Sequence, residues 1–158
     1  MIKQIDDPNT KQIIARSVLE SLRDWFEVDE SREKYIAESA GQIFIAAEED
    51  GDFVGFLCLK ETGKETVELA VMGVLKEYHR HGLGRQLFEE AKRIAKGNGY
   101  LFMQVKTVMV GDRIRNRAKK CEVYAFDEMT RGYGNDIKRQ ERIETFSQRA
   151  YDLAKGLR

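Results

Sequence analysis

Three things are scarce in this chain of 158 residues: cysteine, long apolar runs and net charge. Two cysteines, Cys58 in a strand-like run and Cys121 in a charged segment, are too few for a disulfide framework and show no metal-ligand spacing. The expectation is a protein of the reducing cytoplasm that needs no metal. No apolar run approaches the roughly 20 residues that span a bilayer, and Met1–Asp7 lacks the basic-then-apolar layout of a secretion signal. Net charge is zero, yet unevenly spread: residues 111–158 carry 12 Lys+Arg against 8 Asp+Glu. Both signs are mixed there. The basic run Arg113, Arg115, Arg117, Lys119, Lys120 has no aromatic or base-reading partners, so nucleic acid and membrane are not expected partners. Repeats and low-complexity segments are also missing.

What is present is the composition of a single folded domain: 42% hydrophobic and 34% charged residues. Residues 2–5 suit a short strand, and Asp6, Asp7, Pro8 and Asn9 supply turn and N-cap chemistry. Ile14, Val18, Leu22 and Trp25 or Phe26 recur at helical spacing over residues 10–26, and a second short helix fits 31–38. Strands at 42–48 and 53–60 flank Glu49-Asp50-Gly51-Asp52, a strong hairpin signal. A further strand runs over 66–75. Leu83, Leu87, Ala91 and Ile94 or Ala95 form the core stripe of a helix that Gly97-Asn98-Gly99 ends, and an apolar strand of parallel-sheet type follows at 100–108. Beyond residue 110 the spacing of Ile114, Ala118, Cys121, Ala125 and Met129 predicts a helix over 112–130, and that of Ile143, Phe146 and Ala150 another over 136–155.

The most informative stretch is Glu77-Tyr78-His79-Arg80-His81-Gly82-Leu83-Gly84-Arg85, between the strand at 66–75 and the helix after it. Two glycines one residue apart at a helix start let backbone approach a ligand, and the free N–H groups and positive dipole end suit a phosphate or pyrophosphate. Arg80 and Arg85 add charge. The plainer use of such a turn, merely closing a strand–helix connection, stands beside this reading. Along residues 67–75, alternation places Glu68, Ala70, Met72 and Val74 on one face.

In this order of elements, His79-Arg80-His81-Gly82-Leu83-Gly84 resembles the Gln/Arg-x-x-Gly-x-Gly/Ala motif of the GNAT superfamily of acetyl-CoA-dependent N-acetyltransferases, with His79 where Gln or Arg is usual. The likeness covers residues 1–110. It implies an α/β (α+β) fold, a mixed central sheet flanked by helices, with acetyl-CoA in the splay between the fourth and fifth strands. It implies a donor site of Met72, Gly73, Val74, His79, Arg80, His81, Gly82, Leu83, Gly84 and Arg85, with the small Gly73 permitting close approach. Acetyl transfer to a primary amine by direct attack then needs a base, for which Glu68 is the candidate, and an acid, for which Tyr124 is the candidate on the helix after the fifth strand. The acceptor is a small-molecule or peptide amine. Residues 111–158 depart from the family by lacking its Phe-Tyr…Gly-Phe pattern and final strands, so a helical C-terminal segment is expected there. It belongs to the same domain or is exchanged in a homodimer, and either a tail helix or a second subunit covers the edge of the fifth strand. The alternatives are a non-catalytic acyl-CoA-binding module and a helical interaction protein.

Overall fold

A computed structural model of the chain describes residues 1–26, 28–108 and 119–125. The elements follow as β1 (Ile2–Ile5), α1 (Pro8–Ser21), α2 (Asp29–Ser39), β2 (Ile43–Glu49), β3 (Asp52–Gly63), β4 (Thr66–Val74), a 3-10 turn (Lys76–Tyr78), α3 (Leu83–Gly97), β5 (Phe102–Val108) and β6 (Lys119–Ala125). The six strands form one sheet in the order β1-β2-β3-β4-β5-β6. Neighbours are antiparallel except β4 and β5, which run parallel with α3 as their crossover.

Local chemistry sets most of these boundaries. The Asp7 carboxylate caps α1 by accepting from the Thr10 N–H at 2.8 Å, and Pro8 fits the first turn because its missing N–H would find no partner there. Hairpin β2–β3 turns at Asp50 and Gly51, with φ of 51° and 90°, the left-handed pair that a two-residue loop with the strands' own twist demands. Helix α1 stops at Ser21, short of the expected Phe26. Tighter bonds take over, Leu22 N–H to Leu19 C=O and Trp25 N–H to Leu22 C=O, so Trp25 and Phe26 lie in turns.

Each face of the sheet has its own core. Leu83, Leu87, Ala91 and Ala95 of α3 pack on Ile45, Leu57, Leu59, Val67 and Met103. On the other face Ile14, Val18 and Leu19 of α1 and Ile36 of α2 cover Phe44, Phe56, Cys58 and Val71, with the Phe44 and Phe56 rings stacked at 5.1 Å. Burying one such Leu or Phe contributes about 1.5–3 kcal/mol, so the two layers together fix how the helices sit.

Two features of β4 control the site. Pairing with β3 runs Cys58↔Val71 and then Leu59↔Leu69, so Ala70 has no counterpart and forms a bulge. The ladder to β5 joins Thr66–Leu69 to Phe102–Val105 and ends there, although both strands continue. The bulge and the parting of β4 from β5 coincide. Because one inserted residue reverses facing, Val67 and Leu69 pack on the α3 side whereas Val71 and Gly73 meet the α1 side. The expected common face of Glu68, Ala70, Met72 and Val74 is therefore divided. Ala70 packs with the α1–α2 layer and Val74 with the α3 layer.

The helix expected over residues 112–130 is corrected by β6, whose Lys119–Ala125 pairs antiparallel with β5 from Val108↔Lys119 to Phe102↔Ala125. Cys121, Val123 and Ala125 also alternate with Lys120, Glu122 and Tyr124. That period of two is what an open strand edge selects, because each residue added there satisfies backbone groups that would otherwise lie unpaired. A strand, rather than a tail helix or a second subunit, thus covers β5. The helix expected over 136–155 lies outside the described residues.

Candidate donor and acceptor site

The turn from β4 into α3 uses two left-handed residues, Arg80 at φ 65° and Gly82 at φ 79°. Glycine adopts this conformation without cost, whereas at Arg80 it is uncommon and held by the surrounding turn. Gly82 is the N-cap of α3 and has no side chain to satisfy the helix start. The first helical bond runs from the Gln86 N–H to the Gly82 carbonyl at 3.0 Å, leaving the N–H groups of Leu83, Gly84 and Arg85 outside the α-helical ladder. A methyl placed on Gly84 would meet nothing within 4 Å, so the protein's own packing does not require glycine there.

These N–H groups open on a cleft of about 480 Å³. One wall is Met72–Val74, Tyr78–Arg80 and Gly82–Arg85, and the other is Leu22, Trp25 and Phe26 from the turn after α1. Of the donor residues named from sequence, only His81 is absent from the lining; its ring meets Tyr78 edge-on at 6.1 Å. Leu22, Trp25, Phe26 and Tyr78 line the cleft in addition to the named residues; the first three read in sequence as part of a helical stripe, and Tyr78 as part of a turn.

The backbone of β4 is polarised across the cleft. The Leu75 N–H donates to the Val54 carbonyl at 2.8 Å, toward β3, so the Val74 carbonyl in the same peptide unit points to the open edge. There it meets Nε2 of His79 at 2.7 Å. Because a carbonyl only accepts, Nε2 carries the hydrogen. Gly73 faces the other way: a Cβ would lie 3.0 Å from Val18 Cγ1 and 3.1 Å from Leu22 Cδ1, so close approach of α1 accounts for this glycine.

Two contacts tie the turn after α1 to the segment between β4 and α3. Lys76 Nζ donates to Asp24 Oδ2 at 2.5 Å, which holds the Asp24 carboxyl below its ordinary value, and Trp25, 70% exposed, sets its ring edge-on to His79 at 6.1 Å.

Glu68 lies elsewhere. It sits before the bulge, opposite Lys60 of β3 and Gln104 of β5. Val67 and Leu69 flank it on the α3 side, which turns it toward the α1–α2 layer, where the Lys60 ammonium reaches Glu38 at 3.7 Å. Gln104 Nε2 donates to Glu68 Oε2 at 2.8 Å and lies 3.4 Å from Thr62 Oγ1. Gln104 gave no signal in sequence, since only the parallel register brings it beside Glu68. Met72 is about 13 Å further along the strand at 3.3 Å per residue, and Glu68 does not line the cleft. Tyr124, expected on a helix, is on β6 with its backbone opposite Met103. No group of three or more His, Cys, Asp or Glu suited to a metal occurs among the described residues.

Residues 12–118 match the Acetyltransferase (GNAT) family, and the chain belongs to it. Its fold is that of an IAA acetyltransferase from Bacillus cereus (21% identity, TM-score 0.55, 68% of this chain and 65% of that one). It is equally that of a putative GNAT acetyltransferase from Desulfovibrio desulfuricans (22%, 0.59, 72% and 75%). The PaiA N-acetyltransferase of Thermoplasma acidophilum, solved in complex with coenzyme A, is a further structural neighbour (20%, 0.55, 70% and 81%). No curated protein sequence matches the chain. The class is thus that of acetyltransferases, with the motif turn at the cleft.

Proposed function

We propose that the protein transfers acetyl from acetyl-CoA to a primary amine by direct attack. The observation that carries this reading is the cleft at the start of α3. Backbone donors left over from the helix, the arginines Arg80 and Arg85, and the open edge of β4 line one continuous wall there. The pyrophosphate would rest on the N–H groups of residues 83–85, where the helix dipole favours an anion. The pantetheine arm would lie along Met72 and Val74 as an added strand, since β5 has already parted from that edge.

In the reaction, the ammonium gives one proton to the base and the amine nitrogen bonds to the thioester carbon. The C–S bond breaks as the nitrogen loses its second proton, which replaces the one the acid gives to the departing thiolate. Glu68 is the base and Tyr124 the acid that protonates the departing thiolate. Since Glu68 lies off the cleft, proton removal runs through water. Gln104 keeps one Glu68 oxygen in place by hydrogen bonding. The acceptor is a small-molecule or peptide amine. We place the enzyme in the cytoplasm, as a monomer or homodimer, without nucleic-acid or membrane partners. No helix among the described residues is long and apolar enough to cross a membrane.

Glu68's position outside the cleft favours a second reading, a non-catalytic acyl-CoA-binding module. Calorimetry with acetyl-CoA on the full chain, alongside Gly82→Glu and Gly84→Glu, tests the shared part: micromolar binding lost in both variants is expected, and an intact chain that binds nothing overturns both readings. Thiol release on a panel of amines then separates them, because a binding module holds acetyl-CoA without turnover.

A further inference from the structure

The contact between His79 and Val74 has a consequence for ligand entry. Val74 is the last residue of β4, and its carbonyl is directed to the open edge by the Leu75–Val54 bond. That carbonyl is an acceptor on the same wall of the cleft that an added strand would pair with. In the structure it is engaged, at 2.7 Å, by a side chain from the turn five residues on. We propose that His79 occupies the hydrogen-bond position of the donor's arm, so that arm binding is an exchange in which an amide N–H of the pantetheine displaces the imidazole from the Val74 carbonyl. The inference rests on the donor reading above and goes beyond it, because it makes the first residue of the motif a competitor for the arm rather than a phosphate ligand.

The contact is one that a ligand can displace. The imidazole is exposed and its ring packs edge-on against Trp25, itself at the surface, so neither group is locked by burial. An exposed hydrogen bond of this kind contributes about 0.5–1.5 kcal/mol net, small enough for a ligand to replace and large enough to measure. No bond is made or broken covalently, and the Val74 carbonyl keeps one donor throughout.

The test compares two probes that share adenine and pyrophosphate, coenzyme A with its arm and adenosine diphosphate without it. Both are titrated calorimetrically into the full chain, His79→Ala and His79→Phe; the phenylalanine keeps a ring beside Trp25 while removing the donor. Competition at Val74 makes both variants bind coenzyme A about three- to tenfold more tightly and leaves adenosine diphosphate unchanged. In the wild type, the His79 Nε2–H resonance shifts on adding coenzyme A and stays put with adenosine diphosphate. Weaker binding of both probes would show His79 on the pyrophosphate instead, and equal or no change for both would equally overturn the exchange. A wild-type chain that binds neither probe removes the donor reading itself, an outcome separate from those.

Discussion

Replacing Gly84 with alanine and with glutamate separates the needs of the fold from those of the ligand. Gly84 is the second residue of α3, and an added methyl meets no atom within 4 Å. With no clash to oppose it, the change removes glycine's excess backbone entropy and adds up to about 1 kcal/mol of stability. For a chain of this size that is a rise in Tm of roughly 2–4 °C. Gly84 lines the cleft, where a phosphate oxygen bonded to its N–H would sit at about 2.9 Å from the nitrogen. Alanine keeps that N–H, and the motif admits alanine here, so the methyl alone should leave the bond in place. A carboxylate at the same position repels the phosphates and displaces the bond, a loss of about 1.5–3 kcal/mol, or roughly ten- to more than a hundredfold in affinity. The expected result is that Gly84→Ala melts higher and binds coenzyme A about as the wild type does, whereas Gly84→Glu binds it at least tenfold more weakly, read by thermal denaturation and calorimetry on the same preparations. Unchanged affinity in Gly84→Glu would place the phosphates away from Gly84. A fall in Tm for Gly84→Ala would mean the first turn of α3 is not open as described.

Gly73→Ala should do the opposite at the same cleft. Its Cβ presses on Val18 and Leu22, so stability falls by about 1–3 kcal/mol, measured by urea denaturation, and an unchanged midpoint would show α1 free to shift. Glu68→Gln should leave coenzyme A affinity unaltered while lowering kcat on any amine turned over by the panel by about 10²–10⁴; full activity would remove Glu68 as the base. Asp7→Ala removes the cap of α1 and lowers Tm at neutral pH. Because hydrogen bonds from the Thr10 hydroxyl and N–H depress the Asp7 carboxyl below its usual 3.8, its contribution is complete above that value and disappears as pH falls through the lower folded one. The gap in Tm between wild type and variant therefore closes only in acid, and a gap that persists at pH 2 would assign the effect to something other than the carboxylate.

Much of the architecture was legible because it depends on near neighbours. The Asp-Gly hairpin, the Asp7 cap and the apolar stripe of α3 each rest on residues within a few positions of one another, and each is where the spacing predicts. The turn into α3 was legible for the same reason, as a glycine pair at a strand–helix junction. Nine of the ten residues named from β4 and this turn line one cleft. What was not legible depends on pairing at a distance. Cys121, Val123 and Ala125 fit helical spacing as part of a longer stripe and strand spacing by themselves, and the choice fell to the free edge of β5.

The sequence by itself determined the order of elements from β1 to β5, the amphipathic character of α1 and α3 and the glycine turn at Gly82-Leu83-Gly84, since all of these follow from short-range backbone preference and side-chain periodicity. Tertiary structure decided which way β4 faces. One unpaired residue, Ala70, moves Glu68 to the side opposite Met72, and no period in the sequence signals a bulge because it exists only against a partner strand. Tertiary structure also decided why Gly73 is glycine, which is the approach of α1, and that His79 reaches back to Val74. Register, edge pairing and close packing arise between segments far apart in the chain, and only the assembled sheet selects among them.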